Sequence, residues 1–399
     1  MTSMPLAAEP PEAALAERIV RAVRGIISND KAALHEPEFA GNEWAYVKDC
    51  IDTGWVSSVG AYVDRFERLI AELTGARHAV ATVNGTAALH VSLLLAGVRP
   101  GNEVLIPALT FIATANAVVY AGATPHFVDS DPRTLGVDPA ALDAHLHDVA
   151  ELRDGHCINR RTGAVIRALM PMHTFGHPVD LDALVALAER WNLVLVEDAA
   201  EALGSSYKGR ACGRFGRIAA FSFNGNKVVT TGGGGAIVTD DPELGRLAKH
   251  LTTTARVPHR WSFIHDRIGF NYRLPNINAA LGCAQLERLP DMLARKRALA
   301  QRYIAAFGNF HGASVVEQPA GTESNYWLVA LKLDTADEAA RDAVLDALNA
   351  DGLMARPVWT LMHKLPMFAD CPRMDMPQAE VLELQLINLP SSPKLADRK

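Results

Sequence analysis

Three short stretches of this chain hold residues whose types and spacing could do chemistry. Phe221-Ser222-Phe223-Asn224-Gly225-Asn226-Lys227, followed by Thr230-Thr231 and the glycine run Gly232 to Gly235, sets one lysine on a loop after an apolar strand. A lysine desolvated by that strand gives up its proton more readily and becomes an amine nucleophile toward an aldehyde. Taken alone, Lys227 would read as an ordinary solvated lysine. Upstream, Leu193-Val194-Leu195-Val196-Glu197-Asp198-Ala199-Ala200-Glu201 reads as a buried parallel strand with acids at its carboxyl end, where α/β sheets present ligand-binding groups. There Asp198 could hold a positive charge in an aromatic ring, or cap the next helix. Further upstream, the apolar strand His78 to Val83 turns through Asn84-Gly85-Thr86-Ala87-Ala88-Leu89-His90 into a helix. Gly85 lets backbone approach a ligand, Thr86 offers a hydroxyl, and the helix start offers free N–H groups and a positive dipole end. That combination is a cradle for phosphate.

A phosphate cradle, a ring-nitrogen acid and a nucleophilic lysine are the groups that pyridoxal phosphate requires. Their order and local wording resemble the fold-type I pyridoxal-phosphate enzymes and, more narrowly, the DegT-type sugar-nucleotide aminotransferases, from about Leu34 to Ser392. The resemblance implies an α/β fold, with a large domain built on a mainly parallel seven-stranded sheet and a smaller C-terminal α+β domain. It implies Lys227 as the catalytic Schiff-base lysine, Ser222 on the cofactor phosphate, and Gly85 and Thr86 in the phosphate-binding turn. Asp198 matches the pyridinium partner. Phe111, within Pro107-Ala108-Leu109-Thr110-Phe111-Ile112-Ala113-Thr114-Ala115-Asn116, matches an aromatic that stacks on the ring. Asn271, in Gly269-Phe270-Asn271-Tyr272-Arg273, matches an asparagine that reaches the phosphate of a neighbouring subunit, which implies a homodimer with shared active sites. Many members carry glutamine or histidine where this chain has Glu201, while some perosamine- and legionaminic-type members carry the acid. Glu201 is therefore read as a subgroup mark and a cofactor contact.

Leu34-His35-Glu36-Pro37, Gly54-Trp55-Val56-Ser57-Ser58-Val59-Gly60 and Arg356-Pro357-Val358-Trp359-Thr360-Leu361-Met362-His363-Lys364 narrow the match. They resemble members that aminate a UDP-linked 4-keto-6-deoxy-N-acetylglucosamine for bacillosamine and legionaminic acid, with L-glutamate as the implied donor. The alternatives are GDP-perosamine synthase-like amination and a non-catalytic pyridoxal-phosphate-binding regulator. The presence of Lys227 argues against dehydratase members, in which histidine replaces that lysine. Trp55, Ser57, Ser58 and His363 are candidate sugar contacts. Arg267, Arg273 and Arg356 are candidates for a substrate phosphate or a donor carboxylate, or else for salt bridges.

Elements able to position these groups are legible. Apolar strands alternate with amphipathic helices from roughly residue 60 to 255, the pattern of a mainly parallel sheet covered on both faces. A long helical pattern runs from Ile277 to about Phe307, and Pro290 should break it. A strand near Tyr326 to Leu333, a helix from Ala336 to Ala350 and a strand near Met354 to Trp359 follow. The expected division is a leader over 1–33, a large cofactor domain over 34–260, and a small domain with its linking helix over 261–399.

Composition sets outer bounds. A chain of 399 residues with 49% hydrophobic content can bury more than one core. A net charge of −6 with interspersed signs leaves no footprint for nucleic acid. The five cysteines lie far apart without ligand spacing, which fits a reduced cytoplasmic setting. Residues 1–33 lack an apolar signal core, and no run of membrane-spanning length occurs. His173 and His177 sit four apart, but Gly176 and Pro178 make that segment a loop, so no metal site is predicted.

Overall fold

The computed structural model describes residues 11–397. The first ten residues of the expected leader and the last two of the expected small domain lie outside that range. Seven short strands form the spine of the large domain: β1 (His78–Thr82), β2 (Glu103–Pro107), β3 (Thr124–Val128), β4 (Val165–Leu169), β5 (Val194–Asp198), β6 (Ile218–Ser222) and β7 (Gly235–Thr239). Their spatial order is β1-β7-β6-β5-β4-β2-β3. The run from β6 to β3 is parallel, and only β7 runs against its neighbours β1 and β6. A hairpin of Ala150–Arg153 and His156–Asn159 adds to β4 through Cys157 opposite Ile166, which extends the expected seven-strand path to nine strands. β2 and β7 are buried along their whole length because helices cover both faces, so their sequences show continuous rather than alternating apolarity.

Register brings the chemistry to one rim. Ala220 lies opposite Asp198, Ser222 opposite Gly235, and Gly235 opposite Thr82. The carboxyl ends of β1, β5 and β6 therefore converge where doubly wound sheets hold their ligands.

The C-terminal part forms a four-stranded antiparallel sheet of β8 (Ala313–Val315), β9 (Val329–Leu333), β10 (Arg356–Pro357) and β11 (Leu386–Leu389), ordered β8-β9-β11-β10. The helix Glu338–Ala350 packs beside it. The expected break near Pro290 is present: one helix ends at Glu287 and the next runs Leu289–Phe307, with the proline in its first turn, where a missing N–H costs nothing.

Two features of the packing bear on the expected division. The helix Pro11–Arg24 lies within the segment expected as a leader, and its Ile19 and Val23, with Ile27 just beyond it, share a buried core with Leu299, Tyr303 and Leu348. Ile19 and Val23, four residues apart, lie on one helical face that must be covered. The boundary expected at residue 260 falls inside a hairpin of Arg256–Val257 and Ile264–His265, and the next helix, Asn276–Glu287, packs Ala279 and Cys283 into the large-domain core.

Candidate active site

The loop after β6 carries Lys227 into a cavity of about 300 Å³ at the carboxyl rim of the sheet. Its walls include Gly85, Thr86, Phe111, Asp198, Glu201, Ser222 and Lys227, so seven of the residues singled out from sequence meet in one place. The broader surface groove near Arg68, Lys249 and Arg256 holds none of them.

The cradle is built by close approach. Asn84 caps the helix Gly85–Leu95, its Oδ1 accepting from Ala87 N at 2.8 Å. A Cβ on Gly85 would stand 2.8 Å from Ser222 Cβ and 3.0 Å from its Oγ. Only a residue without a side chain lets the first helical turn and the end of β6 close on the same small volume.

The acids at the end of β5 divide by strand alternation. Glu197 turns away, accepting from the backbone N–H of Gly213, Phe215 and Gly216 and pairing with His173 Nε2 at 3.1 Å. Asp198 faces the cavity, where Thr114 Oγ1 donates to its Oδ2 at 2.7 Å and Ala200 N donates to its Oδ1 at 3.2 Å. Burial raises the Asp198 carboxyl above the usual carboxylate range, against the pull of Thr114 and the Lys227 charge.

One turn on, Glu201 is also buried. Its Oε1 accepts from Lys227 Nζ at 3.2 Å and its Oε2 from Phe175 N at 2.8 Å. Burial pushes its carboxyl up to about 7, with Asp198 adding to the rise and Lys227 opposing it. Lys227 has only 12% of its side chain exposed. Its ammonium lies 3.6 Å from the centroid of the Trp327 ring, a cation held over an aromatic face.

Several residues of the site escaped sequence reasoning. Trp327 donates from Nε1 to Asn226 O at 2.6 Å, which ties the ring to the loop that bears Lys227. Asn325 donates from Nδ2 to Glu201 O at 2.7 Å and to Leu203 O at 2.9 Å, and accepts from Trp327 N at 2.7 Å on Oδ1. It thus joins the two residues that flank the lysine. Phe175 and Tyr326 adopt positive φ of 56° and 46°, the strained backbone that tends to gather at functional sites. No local pattern marks these residues, though the run Ser324-Asn325-Tyr326-Trp327 does mix amide and aromatic side chains just before β9.

Other candidates lie elsewhere. Asn271 is exposed and outside the cavity of its own chain, and Trp55, Ser57, Ser58 and His363 do not line it. Arg273 is spent on Glu67 Oε1 at 2.7 Å and Ala81 O at 3.1 Å, and Arg267 is exposed beside Asp266. Arg356 lines an adjoining chamber. His177 is buried with its ring edge-on to Tyr326.

The sequence model of the DegT/DnrJ/EryC1/StrS aminotransferase family matches residues 37–399. The GDP-perosamine synthase of Caulobacter vibrioides is 40% identical over 362 residues, covering 90% of this chain and 93% of that protein. The GDP-perosamine synthase of Escherichia coli O157:H7 is 38% identical, covering 92% and 94%. A crystal structure of a DegT DnrJ EryC1 StrS aminotransferase from Brucella abortus superposes with a TM-score of 0.80 at 28% identity, covering 88% of this chain and 90% of that one.

Proposed function

The chain belongs to the DegT/DnrJ/EryC1/StrS aminotransferase family, and from that premise we propose that it moves the amino group of L-glutamate onto the keto carbon of a GDP-linked 4-keto-6-deoxy sugar. It is a sugar aminotransferase that uses pyridoxal 5′-phosphate. The UDP-linked substrate expected from short motifs gives way to the GDP-linked one because relatives 40% and 38% identical over nine-tenths of the chain are GDP-perosamine synthases.

The residues present fit the cofactor. The space left by the missing Cβ of Gly85, beside Ser222 Oγ, Thr86 and the free N–H groups of the helix start, suits a phosphate. Buried Asp198, oriented by Thr114, would hold a proton on the ring nitrogen, and Phe111 at the mouth would cover the ring. When bound, the cofactor supplies an aldehyde that takes up amines and a ring that absorbs the electron pair left on the donor α-carbon.

The chain's own groups do the rest. Lys227 Nζ, freed as a neutral amine, takes the proton from the donor α-carbon and returns it on the far side of the reaction. Glu201 Oε1 lies within one hydrogen bond of that nitrogen, and burial raises its own proton affinity so that it can hold a proton near neutral pH. The Trp327 ring, 3.6 Å from that nitrogen, covers one side of it. The observation that carries this reading is the single cavity holding lysine, acids and phosphate cradle together. A homodimer is part of the proposal: Asn271 is exposed and does not line the cavity of its own chain, and Trp261, Phe263 and Ile268, close in sequence, are exposed, the last at 86%. Cytoplasmic residence is proposed with it; no helix among the described residues is long and apolar enough to cross a membrane.

The test is a panel of GDP-, UDP- and dTDP-linked 4-keto sugars offered with glutamate. Preferential amination of the GDP-linked sugar is expected; better turnover of the UDP-linked N-acetylated sugar overturns the choice of nucleotide.

A further inference from the structure

The Trp327 ring lies against the Lys227 nitrogen, yet the backbone of Trp327 stops short of β9, whose pairing begins at Val329. Side chains hold it instead. The Trp327 N–H donates to Asn325 Oδ1 at 2.7 Å, and the Trp327 carbonyl accepts from Lys296 Nζ at 3.2 Å. We infer that Lys296 is a positioning residue of the active site: from the linking helix it fixes the Trp327 peptide, and through that peptide the indole beside Lys227. The inference rests on the transamination reading given above for its effect on turnover, and on the geometry alone for its effect on the Lys227 amine.

The helix Leu289–Phe307 is suited to this role because it spans two cores. Leu289 and Met292 enter the large-domain core, while Leu299, Tyr303 and Phe307 enter the core that underlies the four-stranded sheet. Between them stand Lys296 and Arg297, which grip the two ends of one short segment. Arg297 Nε donates to Ser324 O at 3.0 Å, and Lys296 Nζ reaches Trp327 O. Each also bonds a third place in the chain, Arg297 Nη2 to Gly204 O at 3.1 Å and Lys296 Nζ to Ser391 O at 2.6 Å. The clamped segment carries Asn325, which binds the Glu201 carbonyl, and Trp327, which binds the Asn226 carbonyl. It also contains the positive φ of Tyr326, a conformation that persists only when its surroundings enforce it.

The side chain is an unusual one for the place. Lys296 is 1% exposed, and both of its partners are backbone carbonyls. An aliphatic chain would fill the same volume without burying an amine. Burial lowers the Lys296 proton affinity well below the lysine range, toward the neutral amine. A neutral amine has two N–H groups, and the two carbonyls take one each. The contact therefore stands without a counter-ion. Removing the amine leaves both buried carbonyls short of a donor and frees the Trp327 peptide to turn.

The path to the reactive nitrogen is short. Trp327 Nε1 donates to Asn226 O at 2.6 Å, in the loop that bears Lys227, and the ring centroid lies 3.6 Å from Lys227 Nζ. A turn of the Trp327 peptide moves the ring off that nitrogen. The amine loses its cover, and its ammonium loses the aromatic face that stabilises the charge. Both changes leave the amine more open to a small aldehyde and less well placed to carry a proton.

The probe is formaldehyde with cyanoborohydride, applied to the cofactor-free protein, with methylation of Lys227 followed by peptide mass mapping. Lys296→Met, similar in volume but without N–H groups, should be methylated at Lys227 roughly fivefold faster than wild type, the worth of one lost hydrogen bond. Arg297→Gln, which releases the other end of the segment, should shift the rate in the same direction, with Tm showing that both variants fold. Trp327→Ala should also accelerate methylation, and adding Lys296→Met to it should change the rate by less than about twofold, because a residue acting through the indole has nothing left to act on. In the holoenzyme Lys296→Met should lower kcat for amination roughly fivefold and leave KM for the keto sugar unchanged. Wild-type methylation or wild-type kcat in folded Lys296→Met overturns the inference, as does an undiminished acceleration in the Trp327→Ala background. If methylation responds as expected but wild type aminates no keto sugar, Lys296 still positions the indole and the transamination reading falls.

Discussion

The Lys227 ammonium and the Glu201 carboxylate meet at 3.2 Å, with 12% of the lysine side chain and 2% of the glutamate side chain exposed. The other oxygen of Glu201 is held by the N–H of Phe175, so neither group can turn away without breaking a bond. A buried carboxyl touching the Lys227 amine couples the protonation of the two groups. That relationship governs the pH behaviour below.

Lys227→Ala should lower amination by at least ~10³-fold, since it removes both the nucleophile and the proton carrier. Borohydride treatment of the loaded wild type, followed by peptide mass mapping, should place the cofactor label on Lys227. Label on another lysine, or amination undiminished in the variant, ends the assignment.

Glu201→Gln should change stability with pH in a defined direction. The folded-state value of about 7 lies above the unfolded reference of 4.5, so the native state binds the extra proton between those values. Stability from this group is present below pH 4.5 and is lost as pH rises through about 7. The cofactor-free variant should therefore melt above wild type at pH 8, and the two should converge near pH 4.5. A thermal-melt series at fixed ionic strength checks it; a difference independent of pH removes Glu201 as the titrating group.

Gly85→Ala should impair cofactor binding more than folding. The added methyl meets Ser222 Cβ at 2.8 Å, which forces the helix start and the end of β6 apart at a cost of about 1–3 kcal/mol. If that strain falls on the cradle, cofactor Kd rises roughly 5- to 150-fold, read by absorbance titration. Wild-type affinity would show that the close approach does not shape the phosphate seat.

Ile19→Ala tests whether the first helix is structural. Ile19 is fully buried against the small-domain core, so truncation should cost about 2–5 kcal/mol, measured by urea unfolding. A change below ~0.5 kcal/mol would mean the helix docks too weakly to matter.

By itself the sequence determined the parts that depend on local order. Continuous apolar runs gave strands, Pro290 ended a helix, and Asn84-Gly85-Thr86, Asp198 and Lys227 stood out together as candidates through residue type and position after a strand. Strand ends converge on one rim in parallel sheets, so those residues could be expected to meet. Tertiary structure alone decided what crosses between segments. Trp327 lies 100 residues beyond Lys227, and Asn325 binds the backbone of Glu201 from the far side of the chain, so no local period records either contact. Strand alternation sent Glu197 to His173 and Asp198 to the cavity, a choice that adjacent acids do not reveal before the sheet's register is known. The burial of Ile19, Val23 and Ile27 against Leu299, Tyr303 and Leu348 was likewise decided by the partner surface as much as by the residues themselves.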